Sequence, residues 1–289
     1  MLSRSLLFVP ADKEKILLKI NTINADIIIL DLEDAISLNH KQYARQLIKE
    51  HFHNIQKPTI LRINSLDTDE HPLDMNLVAE IAAFNHFQGV MLPKALNKNT
   101  IEQVANHFHD IEKKHNKKIS IIPLIESALG VKNAYEIAGA DNRVTQLAFG
   151  GVDFVNDIDA QSTAEEHELF YARSEIIISS RSAGLDKPID TVYVNFKDTE
   201  GFYSNCSYVK KLGFGGKLLI HPSQVDIANE VFSPSEKEVE EAKLIIDNIH
   251  EDENIGTFQL DGKMVDKPVI EKAQRTLNDY QEIINYSGR

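Results

Sequence analysis

Short apolar runs recur along the chain, and longer stretches with helical spacing of apolar positions separate them. The runs are RSLLFVP (4–10), DIIILDLE (26–33), PTILRIN (58–64), GVMLPK (89–94), SIIPLIE (120–126), VTQLAFGG (144–151), IDTVYVN (189–195) and GKLLIHP (216–222). Near-continuous Val, Ile and Leu is the pattern of parallel strands buried on both faces. Between them, NKNTIEQVANHFHDIEKKH places Ile101, Val104, Ala105, Phe108 and Ile111 on one helical face. AEEHELFYARSEIIISSRSAG predicts a helix that ends at Gly184. SPSEKEVEEAKLIIDNIH predicts another, with Ser233 as its cap, Pro234 in the first helical position and Glu236 closing a capping box. Eight alternating strand–helix units predict an α/β fold, a (β/α)8 TIM barrel over residues 1–232. A doubly wound open sheet is the structural alternative. Residues 233–289 continue with that third helix, a loop over 251–268 and a last helix pattern, VIEKAQRTLNDYQEII, for which Pro268 suits the start. No Gly/Ser-rich or Pro-rich linker sets this tail apart, so it reads as an extension of the barrel.

Composition narrows the function classes. A chain of 289 residues suits one such barrel. The single cysteine, Cys206, allows no intrachain disulfide and fits a reducing compartment. The N-terminal apolar run from Leu6 to Pro10 is too short for a signal sequence, and no stretch approaches the length of a membrane span. The expectation is a soluble cytoplasmic protein. A net charge of −13 argues against nucleic acid and anionic membrane as partners. It does not argue against a small anionic substrate, because arginine, lysine and a metal can reverse the sign inside one cleft.

Polar residues gather at one end of these runs, the C-terminal end, where barrels of this kind carry their active sites. Glu126 follows IIPLI and fits a hard oxygen ligand for Mg²⁺, an ion that needs only one or two protein carboxylates. The bland alternatives are that it caps the next helix or pairs with Arg62. Asp153 follows Gly150 and Gly151, glycines that allow backbone N–H groups to approach a bound anion. Its alternative is a helix cap, and Asp157 reads as structural. Arg62 is a charge inside a strand; it either grips a substrate carboxylate with its fork of donors or pairs with Glu33 or Glu126. Glu33 and Asp34 are adjacent, so strand alternation points one of them, Glu33, at the site as a group ordering metal-bound water. Lys94 and His221 stand at strand ends with structural and ligand roles equally open. The HFH triplets at 51–53 and 107–109 lie on helical patterns, where i and i+2 do not share a face, and are poor metal pairs. There is no zinc-type Cys/His set, GxSxG elbow, P-loop or GxGxxG.

RSLLFVPADK, ILDLEDAI, LRINSLDT, MLPKA, LIESALGV, AFGGVDF, DTVYVNFKDTEGF, GFGGKLLIHPSQ and DGKMVDKPVIEKAQ together resemble the citrate lyase β-subunit-like family of the HpcH/HpaI aldolase superfamily, in order and over nearly the whole chain. The resemblance implies a Mg²⁺-dependent barrel that cleaves a 3-hydroxy-3-carboxy acyl thioester (citramalyl, malyl or citryl) into acetyl-CoA and a 2-oxo acid, or makes it. It places the metal carboxylates on Glu126 and Asp153, the substrate arginine on Arg62, and the LDLED acids on Glu33 and Asp34. Backbone N–H groups near Gly151 would help hold the carboxylate. Lys13 and Lys19 would approach the CoA phosphates, and Asp266 of the GKMVD motif would act as acid or base. In relatives this tail completes a neighbouring subunit's site, so a homotrimer or hexamer is expected. FVPADK departs from the family's FVPGDR, and GGVDFVNDIDA with HPSQ leans toward free-standing CoA-thioester lyases. The rival functions are an aldolase of free hydroxy or sugar acids, and a citrate lyase β subunit that works on a carrier-protein thioester or binds without catalysis.

Overall fold

Eight strands, all parallel, close into a barrel: β1 (Ser5–Pro10), β2 (Ile27–Asp31), β3 (Thr59–Arg62), β4 (Phe87–Leu92), β5 (Ser120–Ile125), β6 (Ala148–Phe149), β7 (Ile189–Asp190) and β8 (Gly216–Leu219). The computed structural model describes residues 2–249, 257–260 and 262–287. Two compact units are present, Ser3–Asn229 and Glu230–Arg289 with Met1–Leu2. The barrel lies in the first. Its closing pair sets Ser5 beside Lys217 and Leu6 beside Leu218.

Seven strands sit within their expected runs, β4 begins two residues ahead of its run 89–94, at Phe87, and β6 and β7 hold only two residues each. The ends of those runs leave the ladder for other partners. Gln146 donates to the Ser3 hydroxyl and the Lys187 carbonyl, each at 2.9 Å. Thr191, one residue past β7, accepts from Gly151. The barrel interior is filled by alternate residues of the strands, among them Leu6, Ile27, Ile29, Ile60, Met91, Ile122, Leu124, Ala148, Ile189 and Leu218.

Outside the barrel wall, a buried ion cluster ties β7 and β8 to the helix Phe170–Ser182. Asp190 accepts from Arg173 Nε at 2.8 Å and Nη2 at 3.1 Å, and from Lys217 Nζ at 2.6 Å; all three side chains are fully buried. Burial alone would push the Asp190 carboxyl up, but Lys217 and Arg173 hold it below the usual carboxylate range. Asp190→Ala would leave two buried cations facing each other, and we expect it to cost about 3–5 kcal/mol of stability by denaturant titration. A loss below about 1 kcal/mol would mean the cluster relaxes by admitting water.

Helix ends follow the sequence with one shift. Asn97 accepts from Thr100 N to start Lys98–His115, and Gly184 has a φ of +73° after Ser182. The helix Glu236–Asp247 is capped by Ser235 with Glu238, not by Ser233 with Glu236. Both serines satisfy the same spacing, and Pro234 stays outside the helix. The tail from 257 is not all loop: β9 (Thr257–Leu260) and β10 (Lys263–Asp266) pair as an antiparallel hairpin ahead of the helix Lys267–Ser287. Residues 251–256 and 261 of the predicted loop lie outside the described residues. Among the described residues no helix is long and apolar enough to cross a membrane.

Candidate active site

Strand alternation builds the site. Leu6, Ile29, Ile60, Leu124 and Ala148 face the barrel axis, so the residues two positions on, Phe8, Asp31, Arg62, Glu126 and Gly150, form the next layer toward the mouth. This layer replaces the hydrocarbon core with charge. Arg62 sits over the Phe8 ring at 4.7 Å. Its Nε donates to Asp31 Oδ1 at 2.8 Å and its Nη2 to Asp31 Oδ2 at 2.5 Å, while Nη1 lies 3.2 Å from Glu33 Oε2. Asp31, a side chain 1% exposed, therefore takes one edge of the fork, Nε with Nη2, and the second edge, Nη1 with the other Nη2 hydrogen, keeps donors beyond the contact with Glu33.

Asp31 is the residue that strand-end reading missed. The signal was present: it shares the parity of Ile27 and Ile29, whereas Glu33 lies beyond β2. Alternation therefore does not separate Glu33 from Asp34. Glu33 is buried against Arg62, and Asp34 is exposed and lines the cleft, its N–H donating to Glu33 Oε2 at 3.1 Å. Behind Glu33, the buried Lys41 Nζ donates to the carbonyls of Leu32 and Glu33 and to Asn64 Oδ1. Burial raises the Glu33 carboxyl, with Arg62 opposing that shift.

Glu126 is 8% exposed at the end of β5. Its Oε1 accepts from the Lys94 backbone N–H at 2.6 Å. Burial pushes its carboxyl up to about 7; the Lys94 N–H opposes that, and Asp153 and Glu33 add to it by charge repulsion. Asp153 lies on the helix Gly151–Asp157, whose cap position is Gly150, so its carboxylate is not used as a cap. Asp157 does cap, accepting from Ala128 N at 2.7 Å.

Gly150 has a steric reason. A Cβ there would lie 2.6 Å from Glu126 Cβ and 3.0 Å from its Oε2, so any side chain would displace the carboxylate. The N–H of Gly151 itself donates to Thr191 Oγ1 at 2.8 Å, so an anion held near Gly151 would draw on the N–H groups that follow it.

Glu126, Asp153, Asp34 and Lys94 line one open cleft of about 670 Å³, whose polar wall also includes Ser65, Asp67, Ser127 and Asp157. A larger groove of about 770 Å³ runs between the helices Lys41–His51 and His71–Ile81. There Arg45 is taken up by Glu70 and Asp74, and no strand end contributes. Lys13 and Lys19 are exposed and outside the cleft lining, and Lys13 Nζ lies 2.9 Å from Asp12. His221 is occupied locally: Nδ1 lies 2.8 Å from Ser223 Oγ, and its ring stacks on Phe196 at 4.6 Å. Asp266 ends β10, and its Oδ1 accepts from Val269 N at 3.3 Å.

The donor set fits a hard divalent cation. Two carboxylates repel each other at one cleft, one of them made reluctant to ionise by burial, and a cation would relieve both. Among the described residues no group of three or more His, Cys, Asp or Glu is arranged for a metal.

The profile described as HpcH/HpaI aldolase/citrate lyase matches residues 4–222. The citrate lyase subunit beta of Leuconostoc mesenteroides subsp. cremoris is 34% identical over 284 residues, covering 96% of this chain and 92% of that protein. The human mitochondrial citramalyl-CoA lyase is 31% identical over 289 residues, covering 95% and 84%. A crystal structure of the protein CitE from Mycobacterium tuberculosis, in complex with magnesium, acetoacetate and coenzyme A, superposes with a TM-score of 0.79 at 26% identity over 96% of this chain and 98% of that one.

Proposed function

The chain belongs to the HpcH/HpaI aldolase/citrate lyase family, and from that premise we propose that it is a Mg²⁺-dependent carbon–carbon lyase of acyl-CoA thioesters. Its substrate is a 3-hydroxy-3-carboxy acyl-CoA of the citramalyl, malyl or citryl type, cleaved to acetyl-CoA and a 2-oxo acid or formed from them. The observation that carries this reading is the pair Glu126 and Asp153, two carboxylates on one cleft at the barrel mouth, with Glu126 pushed up to about 7. Relatives named for citrate and citramalyl-CoA cleavage, and a magnesium and coenzyme A complex of a similar fold, support it.

Glu126 and Asp153 would hold the cation, which when bound supplies Lewis acidity to the oxygens of the 2-oxo acid. The protein's own groups do the rest. The Lys94 N–H fixes Glu126 Oε1 and leaves Oε2 beside the Cβ-free Gly150. Asp31 locks Arg62, and Arg62 in turn fixes Glu33, whose backbone Lys41 also holds. In cleavage the C3 hydroxyl gives up its proton to solvent water, from which Asp266 is later reprotonated, the C2–C3 bond breaks, and C3 becomes the carbonyl carbon of the oxo acid. The bonding electrons pass to the thioester enolate, whose carbon takes a proton from Asp266. Because Asp266 belongs to the C-terminal unit, we assign it to a neighbouring subunit's site in a homotrimer or hexamer. Lys13 and Lys19, exposed near the end of β1, would meet the CoA phosphates.

The test is purified protein with Mg²⁺ and citramalyl-, malyl- or citryl-CoA. We expect acetyl-CoA and one 2-oxo acid in equal amounts, and none after chelation of the metal. Free CoA without acetyl-CoA would instead mean hydrolysis. Cleavage of free hydroxy acids alone would move the assignment to a free-acid aldolase. Silence toward every CoA ester, with cleavage of carrier-protein thioesters in the presence of a partner subunit, would make it a citrate lyase β subunit.

A further inference from the structure

The ladder between β2 and β3 stops at Asp31 beside Arg62. One backbone bond follows it, from Leu32 N to Arg62 O at 3.0 Å. Past that point the chain that carries Glu33 to the site has no strand partner. Its polar backbone atoms are taken up by side chains instead. Asp31 Oδ1 accepts from Glu33 N at 2.9 Å. The carbonyls of Leu32 and Glu33 accept from Lys41 Nζ at 2.9 and 3.0 Å, and the same nitrogen donates to Asn64 Oδ1 at 2.5 Å.

Lys41 opens the helix Lys41–His51 and is 9% exposed. Its three N–H donors are all spent, and all three acceptors are neutral. Burying an ammonium on neutral acceptors costs stability, so stability alone does not account for the placement. Its partner Asn64 is not free to turn. Asn64 N and Nδ2 both donate to Asp74 Oδ2 at 2.7 Å, and Nδ2 also donates to Leu32 O at 3.0 Å. Asp74, fully buried, is anchored in turn by Arg45 Nη1 at 2.9 Å. With Nδ2 committed, Oδ1 faces Lys41. Lys41 thus ties the carbonyls beyond the end of β2 to a fixed group beyond the end of β3.

The two strand ends tied together carry Glu33 and Arg62. Asp31 takes one edge of the Arg62 fork, and Glu33 Oε2 meets Nη1 of the other at 3.2 Å. We propose that Lys41 is a positioning residue for the oxo-acid end of the site. From behind the mouth it fixes the Glu33 backbone against Asn64, so that Glu33 steadies Arg62 and the donors left on the second edge meet the substrate carboxylate. Lys41 itself touches neither substrate nor metal. This inference rests on the lyase reading above.

Lys41→Met keeps the apolar stem and removes the ammonium. The test is condensation with Mg²⁺, in which acetyl-CoA and the oxo acid released in the cleavage assay are varied separately. We expect kcat/KM for the oxo acid to fall about 10- to 100-fold, the size of a hydrogen bond to a charged group. KM for acetyl-CoA should stay within about 3-fold, whereas a general loosening of the barrel would raise both KM values. A cycle with Glu33→Ala asks whether Lys41 acts through Glu33. In the Glu33→Ala chain, adding Lys41→Met should cost less than about a further 3-fold. Where Lys41→Met does not fold, Lys41→Arg takes its place. Arginine keeps the charge, but its planar fork does not converge on three acceptors from one nitrogen, so the same loss and the same non-additivity are expected. Losses that multiply in the double variant, equal rises in both KM values, or wild-type kinetics in either Lys41 variant would overturn the inference and leave the lyase reading intact. A wild-type chain that neither forms nor cleaves a CoA thioester would overturn both.

Discussion

Glu126→Gln is expected to lower kcat/KM for thioester cleavage by at least about 10³-fold while leaving the barrel folded, since losing a ligand of a catalytic cation removes several kcal/mol of transition-state stabilisation. Glutamine keeps the side chain's volume and can still accept from the Lys94 N–H. It lacks the charge. The same variant should be more stable than the wild type when no metal is present. In the fold the Glu126 carboxyl sits at about 7 against an ordinary 4.5, so the folded state holds the proton more tightly than the unfolded chain. Stability is therefore undiminished below about pH 4.5, falls as pH rises toward 7, and above that carries a penalty of up to about 3 kcal/mol. Glutamine removes that penalty. In thermal melts at pH 8 without metal, Glu126→Gln should exceed the wild type by about 1–3 kcal/mol, and at pH 4.5 the two should converge. Mg²⁺ should reverse the order at pH 8 by stabilising only the wild type. Because the proton competes with the cation, wild-type Mg²⁺ affinity should climb about 10-fold per pH unit below 7 and level off above it. A pH-independent affinity, or an active glutamine variant, would remove Glu126 from the metal site.

Glu126 is legible from sequence and Asp31 is not, for a physical reason. Glu126 ends an apolar run whose inward parity, Ile122 and Leu124, is intact to its last residue, so the run's end and the inward face coincide. In β2 they do not. The ladder stops at Asp31, while the run DIIILDLE reads on to Glu33. Counting from the run's end selected Glu33 and passed over the inward aspartate that commits Arg62. The two-residue strands β6 and β7 are also shorter than their runs: around β6 the pairing breaks into separate backbone bonds, such as Thr145 N to Ile121 O and Gly150 N to Ile125 O, while Gln146 and Thr191 make side-chain bonds where hydropathy still reads as strand. Gly150 and Gly151 show a second limit. The pair was legible as close approach, but sequence does not say what approaches. At Gly150 it is the Glu126 side chain, and at Gly151 the Thr191 hydroxyl. The buried cluster of Arg173, Asp190 and Lys217 was invisible for a related reason: each charge lies on an outward strand face or a helix, and only the fold brings three of them together. Long, regular patterns such as the helix Lys98–His115 survive because many residues vote for them; single polar positions depend on one neighbour.

Asp266→Asn is expected to lower kcat by about 10²–10⁴-fold, the contribution of a positioned proton donor, with almost no change in stability. The asparagine is chosen because Asp266 Oδ1 already has a local task, accepting from Val269 N at the start of the helix Lys267–Ser287. Asparagine caps a helix about as well as aspartate, whereas alanine loses roughly 1 kcal/mol. If capping were the whole role, Asp266→Asn would be active and Asp266→Ala only less stable. If the carboxyl moves a proton, both are inactive and only the alanine variant melts early. A second arm asks which chain's site Asp266 serves. Co-expressing Glu126→Gln chains with Asp266→Asn chains makes mixed assemblies. Where the tail of one chain completes the barrel of another, some sites combine a wild-type barrel with a wild-type Asp266, and random assembly should restore about a quarter of wild-type activity. Where Asp266 serves its own barrel, no mixture contains an intact site and activity stays at the level of the single variants. Restoration requires association as well as chemistry, so one measurement ties the C-terminal unit, the oligomer and the proton transfer together.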